Sequence, residues 1–173
     1  WGDPDMTHRD SIYFRGRYYP PDEPEVQFKP VPLKEQYLRL HYDLSLRIPL
    51  FQAAFHDAVI TTHHWTNDRF KYPEVTQMIG LLELLWMCPP MLNLNFPTLK
   101  ERGPDLKNHI DRWGSLHQRL GFSRLTGFRY LSKDRLVQET TWEDGTRIAA
   151  NFGPNAFSLD NGRVIESSNL LVE

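Results

Sequence analysis

The chain has 173 residues, of which 40% are hydrophobic and 24% are charged, a composition typical of a folded globular protein. Its formal net charge is -2, and it has no long basic stripe, so nucleic acid is not expected as a partner. No apolar run approaches the roughly 20 residues that span a bilayer, so a membrane segment is not expected either.

The first thirty residues are rich in proline among charged and aromatic side chains, and the chain starts with Trp1 rather than Met. This pattern predicts a long loop entered partway, and we expect the chain to be the C-terminal part of a longer protein. A single cysteine, Cys88, lies in an apolar stretch and is predicted to pack in the core, because it has no internal disulfide partner. The cysteine count leaves the cellular location open.

Three elements are predicted before residue 90. A short helix is expected over residues 31–43, where Leu33, Tyr37 and Leu40 recur at helical spacing. Residues 50–62 are apolar on both alternating faces and end in β-branched residues, which predicts a strand covered on both sides. A helix over residues 74–86 follows, and Pro89-Pro90 ends it. Strand, loop and helix in this order form one βα unit of an α/β architecture.

The second half of the chain changes its period. A helix is predicted over residues 105–120, with Gly121 as its C-terminal cap. Beyond it the hydrophobic pattern alternates, and Asp144-Gly145 and Asn161-Gly162 each predict a tight hairpin turn. A last strand is predicted over residues 169–172. The tail is therefore expected to be a small antiparallel sheet or half sandwich.

The candidate binding residues lie at and just past the end of the predicted buried strand. They are His56, Asp57, His63, His64 and Trp65. Imidazole and carboxylate groups suit sugar hydroxyls, which both donate and accept hydrogen bonds, and a tryptophan stacks on a ring face. The alternative for the first two is that they satisfy each other or neighbouring strands inside the fold. The alternative for His63 and His64 is that they cap the next helix.

Metal binding and hydrolysis by paired carboxylates are two other kinds of chemistry that the residues of this cluster suggest. Three histidines and one aspartate within nine residues are a possible zinc or iron ligand set, although their spacing matches no strong metal motif. Hydrolysis by paired carboxylates needs two acids on either side of one bond, and only Asp57 is suitably placed. Asp68, Glu74 and Glu83 are interpreted as solvent-facing charges or as charges at a helix N-terminus. The catalytic pair is therefore expected outside this chain.

Three segments of the chain resemble the glycoside hydrolases related to families 101 and 129. These segments are RIPLFQ at 47–52, FHDAVITTHHW at 55–65 and LELLWMCPPM at 82–91, and the tail at 137–152 looks like the domain that follows the barrel in those enzymes. The resemblance implies an α-N-acetylgalactosaminidase-like enzyme with a retaining two-carboxylate mechanism and no cofactor. It also implies that His56 and Asp57 contact the sugar at the rim of the active site, followed by His64 and Trp65.

The resemblance also sets the expected architecture, which is α/β plus all-β. Residues 1–122 would form the C-terminal part of a (β/α)8 barrel with an N-terminal loop, and residues 123–173 a small antiparallel β-sandwich-like domain. The expected function is therefore that of a fragment of a glycoside hydrolase acting on α-linked sugars, with a carbohydrate substrate. The alternatives are a non-catalytic carbohydrate-binding or structural module and a metal-dependent hydrolase.

Overall fold

The computed structural model describes residues 43–62, 75–90, 92 and 95–173. These residues fall into two compact units, 43–47 and 48–173. In the first, Leu44–Leu46 form one turn of 3-10 helix, and the Asp43 side chain accepts a hydrogen bond from the Ser45 backbone at 3.0 Å. The helix predicted over residues 31–43 lies outside the described residues, apart from Asp43.

The second unit contains three α-helices and two antiparallel sheets. The helices are α1 (Leu50–Phe55), α2 (Thr76–Leu85) and α3 (Phe96–Leu120). The larger sheet has the order β1-β2-β3-β6, formed by β1 (Leu125–Tyr130), β2 (Val137–Trp142), β3 (Arg147–Asn151) and β6 (Asn169–Val172). The smaller sheet pairs β4 (Phe157–Ser158) with β5 (Val164–Ile165). The architecture is thus a mixture of helices and antiparallel strands.

The strand predicted over residues 50–62 is wrong, because this segment begins with helix α1 and continues as a turn and a stretch without regular secondary structure. Two of its polar residues, Gln52 and His56, stand four positions apart, on the same side of a helix, and both are buried. A short apolar run fits a strand and a helix equally well by periodicity, and the alanines at 53 and 54 favour the helix. Without that strand no βα unit with a parallel strand forms, and the described residues contain no closed barrel.

The other elements predicted within the described residues are confirmed, with one helix longer than expected. Helix α2 and strand β6 match their predicted ranges within two residues. Helix α3 was expected to begin at Asp105, after Pro104, but it begins at Phe96. Its N-terminus is capped by the Asn95 side chain, which accepts from the Thr98 backbone N–H at 2.9 Å, and Pro97 occupies the first turn.

Both tight turns form where they were predicted. At the first turn, Gly145 has a φ of +87°. This conformation is energetically unfavourable for any residue that carries a side chain. Asp144 accepts a hydrogen bond from the Thr146 backbone at 2.8 Å, and this bond holds the pKa of the Asp144 carboxyl below its ordinary value. At the second turn, Gly162 has a φ of +81°. Turn chemistry therefore sets the register of both hairpins.

The larger sheet is covered differently on its two faces. On one face Thr140 donates to the carbonyl oxygen of Leu85, at the end of α2, over 2.8 Å, and Ile148 and Ala150 are fully buried. On the other face the β4-β5 hairpin packs Ile165 against Val137 and Ala149. The predicted antiparallel sheet is confirmed. A full sandwich is not, because the second sheet has two strands of two residues each.

Within the described ranges, no helix is both long and apolar enough to cross a membrane. The predicted division into residues 1–122 and 123–173 stays a prediction, although α3 ends and β1 begins on either side of it.

Candidate functional site

His56 caps the C-terminal end of α1 and is buried, with 3% of its surface exposed. Its Nδ1 atom lies 2.8 Å from the carbonyl oxygen of Ser123, and its Nε2 atom lies 3.3 Å from that of Met87. A carbonyl oxygen only accepts, so each contact requires an N–H on the ring, and the shorter contact is the better hydrogen bond. His56 therefore links three segments: α1, the segment after α2 that contains Met87, and the loop before β1.

The local backbone explains how these carbonyl groups reach the imidazole. Helix α2 ends at Leu85, and Met87 adopts a φ of +51°, which is rare for a residue with a side chain. The edge of the His56 ring also packs against the Trp142 ring, with centroids 4.7 Å apart and an angle of 65°. The strand β2 thus provides a rigid aromatic support for the imidazole.

Asp57 points away from this buried position. Its side chain is 45% exposed, and its Oδ2 atom lies 3.8 Å from Nε of Arg124, a long ion pair between partly exposed groups. No described residue donates a hydrogen bond to the Asp57 carboxylate. His56 and Asp57 are adjacent but have different surroundings. Both ring nitrogens of His56 face backbone carbonyl groups, whereas Asp57 keeps its acceptor oxygens available to a ligand.

A cavity of about 220 Å³ opens beside the His56 ring, and we call it the His56 cavity. Its lining comprises His56, Ile60, Thr61, Met87, Pro89, His117, Gln118, Gly121 and Phe122. Apolar walls with a few polar groups are typical of small-molecule sites. His117, on α3, contributes the second imidazole of this wall.

Cys88 is buried, as predicted, with 1% of its surface exposed. Its Sγ atom lies 3.3 Å from Oγ1 of Thr61, and the Gln52 amide lies 3.4 Å from the same hydroxyl. This small polar cluster joins α1 to the segment after α2. The sequence predicted Cys88 to pack in the core, and the structure gives it that role.

His63, His64 and Trp65 lie outside the described residues, so their predicted contacts to sugar stay predictions. In the part of the chain that the structure describes, no three His, Cys, Asp or Glu side chains lie close enough to hold a metal ion. The proposed ligand set included two of the histidines outside that part, and the metal hypothesis therefore stays untested.

Several residues that contact His56 and Asp57 were not predicted from the sequence. Ser123 and Arg124, which contact His56 and Asp57, lie in the short connection between α3 and β1, about 67 positions further along the chain, and no local pattern marks them. Trp142 could have been found, since it is a large aromatic residue at the end of a strand with an alternating pattern. Glu83 was expected to face solvent but is buried, with 1% exposed, because every residue of α2 from Ile79 to Leu85 is buried.

The fold and the site together define an α+β protein with a buried histidine and an accessible carboxylate beside a small, mainly apolar cavity. Comparison with known families then assigns it to the glycoside hydrolases. The sequence profile described as glycosyl hydrolases related to the GH101 family, GH129, matches residues 1–141, and the chain belongs to this family. The resemblance stated from the sequence is therefore confirmed, and the family implies a carbohydrate substrate. A search of curated proteins gives no match.

Proposed function

We propose that the chain is the C-terminal part of an enzyme that hydrolyses α-linked sugars, with α-N-acetylgalactosaminides as the substrate class. The family match over residues 1–141 carries this proposal. The match includes all five candidate binding residues, the whole of α1, α2 and α3, and most of β2.

In this proposal the catalytic carboxylates lie upstream of Trp1, and residues of this chain bind the sugar. Asp57 accepts hydrogen bonds from sugar hydroxyls, which suits its exposed carboxylate and its lack of hydrogen-bond donors among the described residues. His56 acts as a positioning residue, because both of its ring nitrogens already face backbone carbonyl groups. It fixes the end of α1, and with it the place of Asp57.

The proposed chemistry is a double displacement with two carboxyl groups about 5–5.5 Å apart. One carboxylate attacks the anomeric carbon and displaces the leaving group, which the other carboxyl group protonates. Water then cleaves the glycosyl-enzyme bond with the second group acting as a base. Two inversions give a product with the starting anomeric configuration. The contribution of Asp57 is to hold the sugar hydroxyls in place during both steps.

The test is to incubate the full-length protein with aryl α- and β-N-acetylgalactosaminides and to follow the first product by proton NMR. We expect hydrolysis of the α-anomer alone, and release of the α-configured sugar before it equilibrates in water. The β-anomer of the same aryl glycoside is the matched control. A first product of β configuration would contradict the retaining mechanism, and no cleavage of either anomer, nor of other aryl α-glycosides, would contradict the proposed activity.

A further inference from the structure

A second cavity, of about 200 Å³, lies on the opposite side of the sheet from the helices. We call it the Glu139 cavity. It is lined by Arg129, Leu131, Glu139, Arg147, Phe157, Leu159, Asp160, Asn161 and Glu173. The larger sheet forms its floor, and the β4-β5 hairpin with its Asn161-Gly162 turn forms its wall. Its lining shares no residue with that of the His56 cavity.

The central group of this cavity is a carboxylate that the fold buries. The Glu139 side chain is 5% exposed, and its Oε1 atom accepts from Nε of Arg129 at 2.7 Å. This ion pair raises the pKa of Arg129 above its ordinary value, so the guanidinium stays charged. The other oxygen, Oε2, has no hydrogen-bond donor among the described residues. Because Oε2 is not among the buried side-chain atoms that lack a partner, solvent reaches it through the cavity, where a ligand hydroxyl can donate to it in place of water.

The charges around the cavity are nearly balanced. Arg129 pairs with Glu139, and Arg147 pairs with Glu173, which Asn161 also contacts at 3.0 Å. Glu173 also pairs with Arg163 at 2.8 Å, so, with Asp160 counted, three carboxylates balance three guanidinium groups and no net positive charge remains to attract an anion. Asp160 at the rim makes no hydrogen bond with the described residues. The same cavity thus offers carboxylate acceptors and an amide within one small space, as a neutral ligand rich in hydroxyl groups requires.

The remaining wall is apolar. Leu131, Phe157 and Leu159 are partly buried and pack against the small core beneath the hairpin. An aromatic ring beside polar groups matches the two faces of a pyranose, whose C–H groups pack on apolar surface while its hydroxyls form hydrogen bonds. The cavity is smaller than the roughly 300–1,000 Å³ of sites for drug-sized molecules, which limits the occupant to about one sugar ring.

We propose that the Glu139 cavity is a binding site for a neutral monosaccharide unit, separate from the catalytic centre. Glu139 and Asp160 accept from the sugar hydroxyls, Asn161 donates to one, and Phe157 supports the ring. This site would hold a non-reducing or branch sugar of a glycan while another part of the enzyme acts on it. This role in holding a glycan rests on the proposed function, whereas sugar binding at the site is tested separately, because its residues do not overlap those proposed to bind the cleaved sugar.

The test is a titration of the 15N-labelled 173-residue chain with methyl α-galactopyranoside, followed through its backbone amide signals. We expect saturable shifts at the amides of Phe157, Leu159 and Asn161, with a dissociation constant on the order of millimolar, which is ordinary for a single sugar. Asp160→Ala should weaken binding about five- to tenfold, since it removes one charged acceptor. Glu139→Gln, which keeps the contact to Arg129, should weaken it by a similar factor.

Asp105→Ala is the matched control, because Asp105 is an exposed aspartate on α3 outside the cavity lining, and binding should be unchanged. Inorganic phosphate, used as an anionic probe, should cause no saturable shift at these amides. Dispersed amide signals of the sheet confirm that each variant is folded. The proposal is overturned if sugar causes no saturable shift there, if Asp160→Ala and wild type bind equally, or if phosphate binds in place of sugar.

Discussion

Replacing Trp142 by alanine is expected to lower the free energy of unfolding by about 3–5 kcal/mol. The Trp142 side chain is 1% exposed at the end of β2 and supports the His56 ring. Its indole N–H makes no hydrogen bond with the described residues, so the loss comes from packing and from the cavity left behind. Urea denaturation followed by circular dichroism measures it.

Phe96→Ala is the matched control, since it also truncates an aromatic residue. Phe96 is 82% exposed at the start of α3, so the expected change is within about 0.5 kcal/mol. If Trp142→Ala cost less than about 1 kcal/mol, or no more than the control, the packing of β2 against His56 would not be a main source of stability.

Replacing Asp57 by asparagine in the full-length enzyme is expected to lower kcat/KM for an aryl α-N-acetylgalactosaminide about 10- to 100-fold. The reason is the loss of the charged hydrogen bonds that we propose the sugar hydroxyls donate to the carboxylate. Asparagine has nearly the same shape, and the ion pair with Arg124 that it removes is long and partly exposed, worth at most about 1 kcal/mol. The fold should therefore survive, and the loss of turnover should report on binding of the sugar.

Asp105→Asn provides the control, because Asp105 is also an exposed aspartate and lies away from the site. His56→Ala is a poorer probe: it removes both carbonyl contacts, so a loss of turnover would mix misfolding with function. Equal turnover of Asp57→Asn and wild type, with both proteins folded, would remove Asp57 from the proposed binding residues.

The sequence predicts this fold best where local chemistry decides the structure. The turn at Asp144-Gly145 and that at Asn161-Gly162 require residues that tolerate positive φ, and both hairpins form there. Helix α2 was predicted from its apolar spacing and from the prolines after it. The early start of α3 depends on one side-chain cap, Asn95, and on Pro97 in the first turn, and the helix continues through Pro104.

Prediction from the sequence fails where the structure depends on contacts between residues that are far apart along the chain. Residues 50–62 read equally as strand or helix, and the choice depends on which side chains the rest of the fold buries. The result buries Gln52 and His56 together and leaves Leu50 and Phe55 partly exposed. The candidate site was found by residue type alone. Its geometry was not predictable, because the partners Ser123 and Arg124 lie in a connection without any pattern of their own.

The most direct test of the account compares turnover of an aryl α-N-acetylgalactosaminide by the full-length enzyme and by the 173-residue chain alone. We expect rapid hydrolysis by a full-length protein and none by the folded 173-residue chain, because the proposed function places the catalytic carboxylates outside this chain. Hydrolysis by the 173-residue chain at a rate comparable to that of the full-length enzyme would contradict it, and would place the catalytic pair among the residues of this chain.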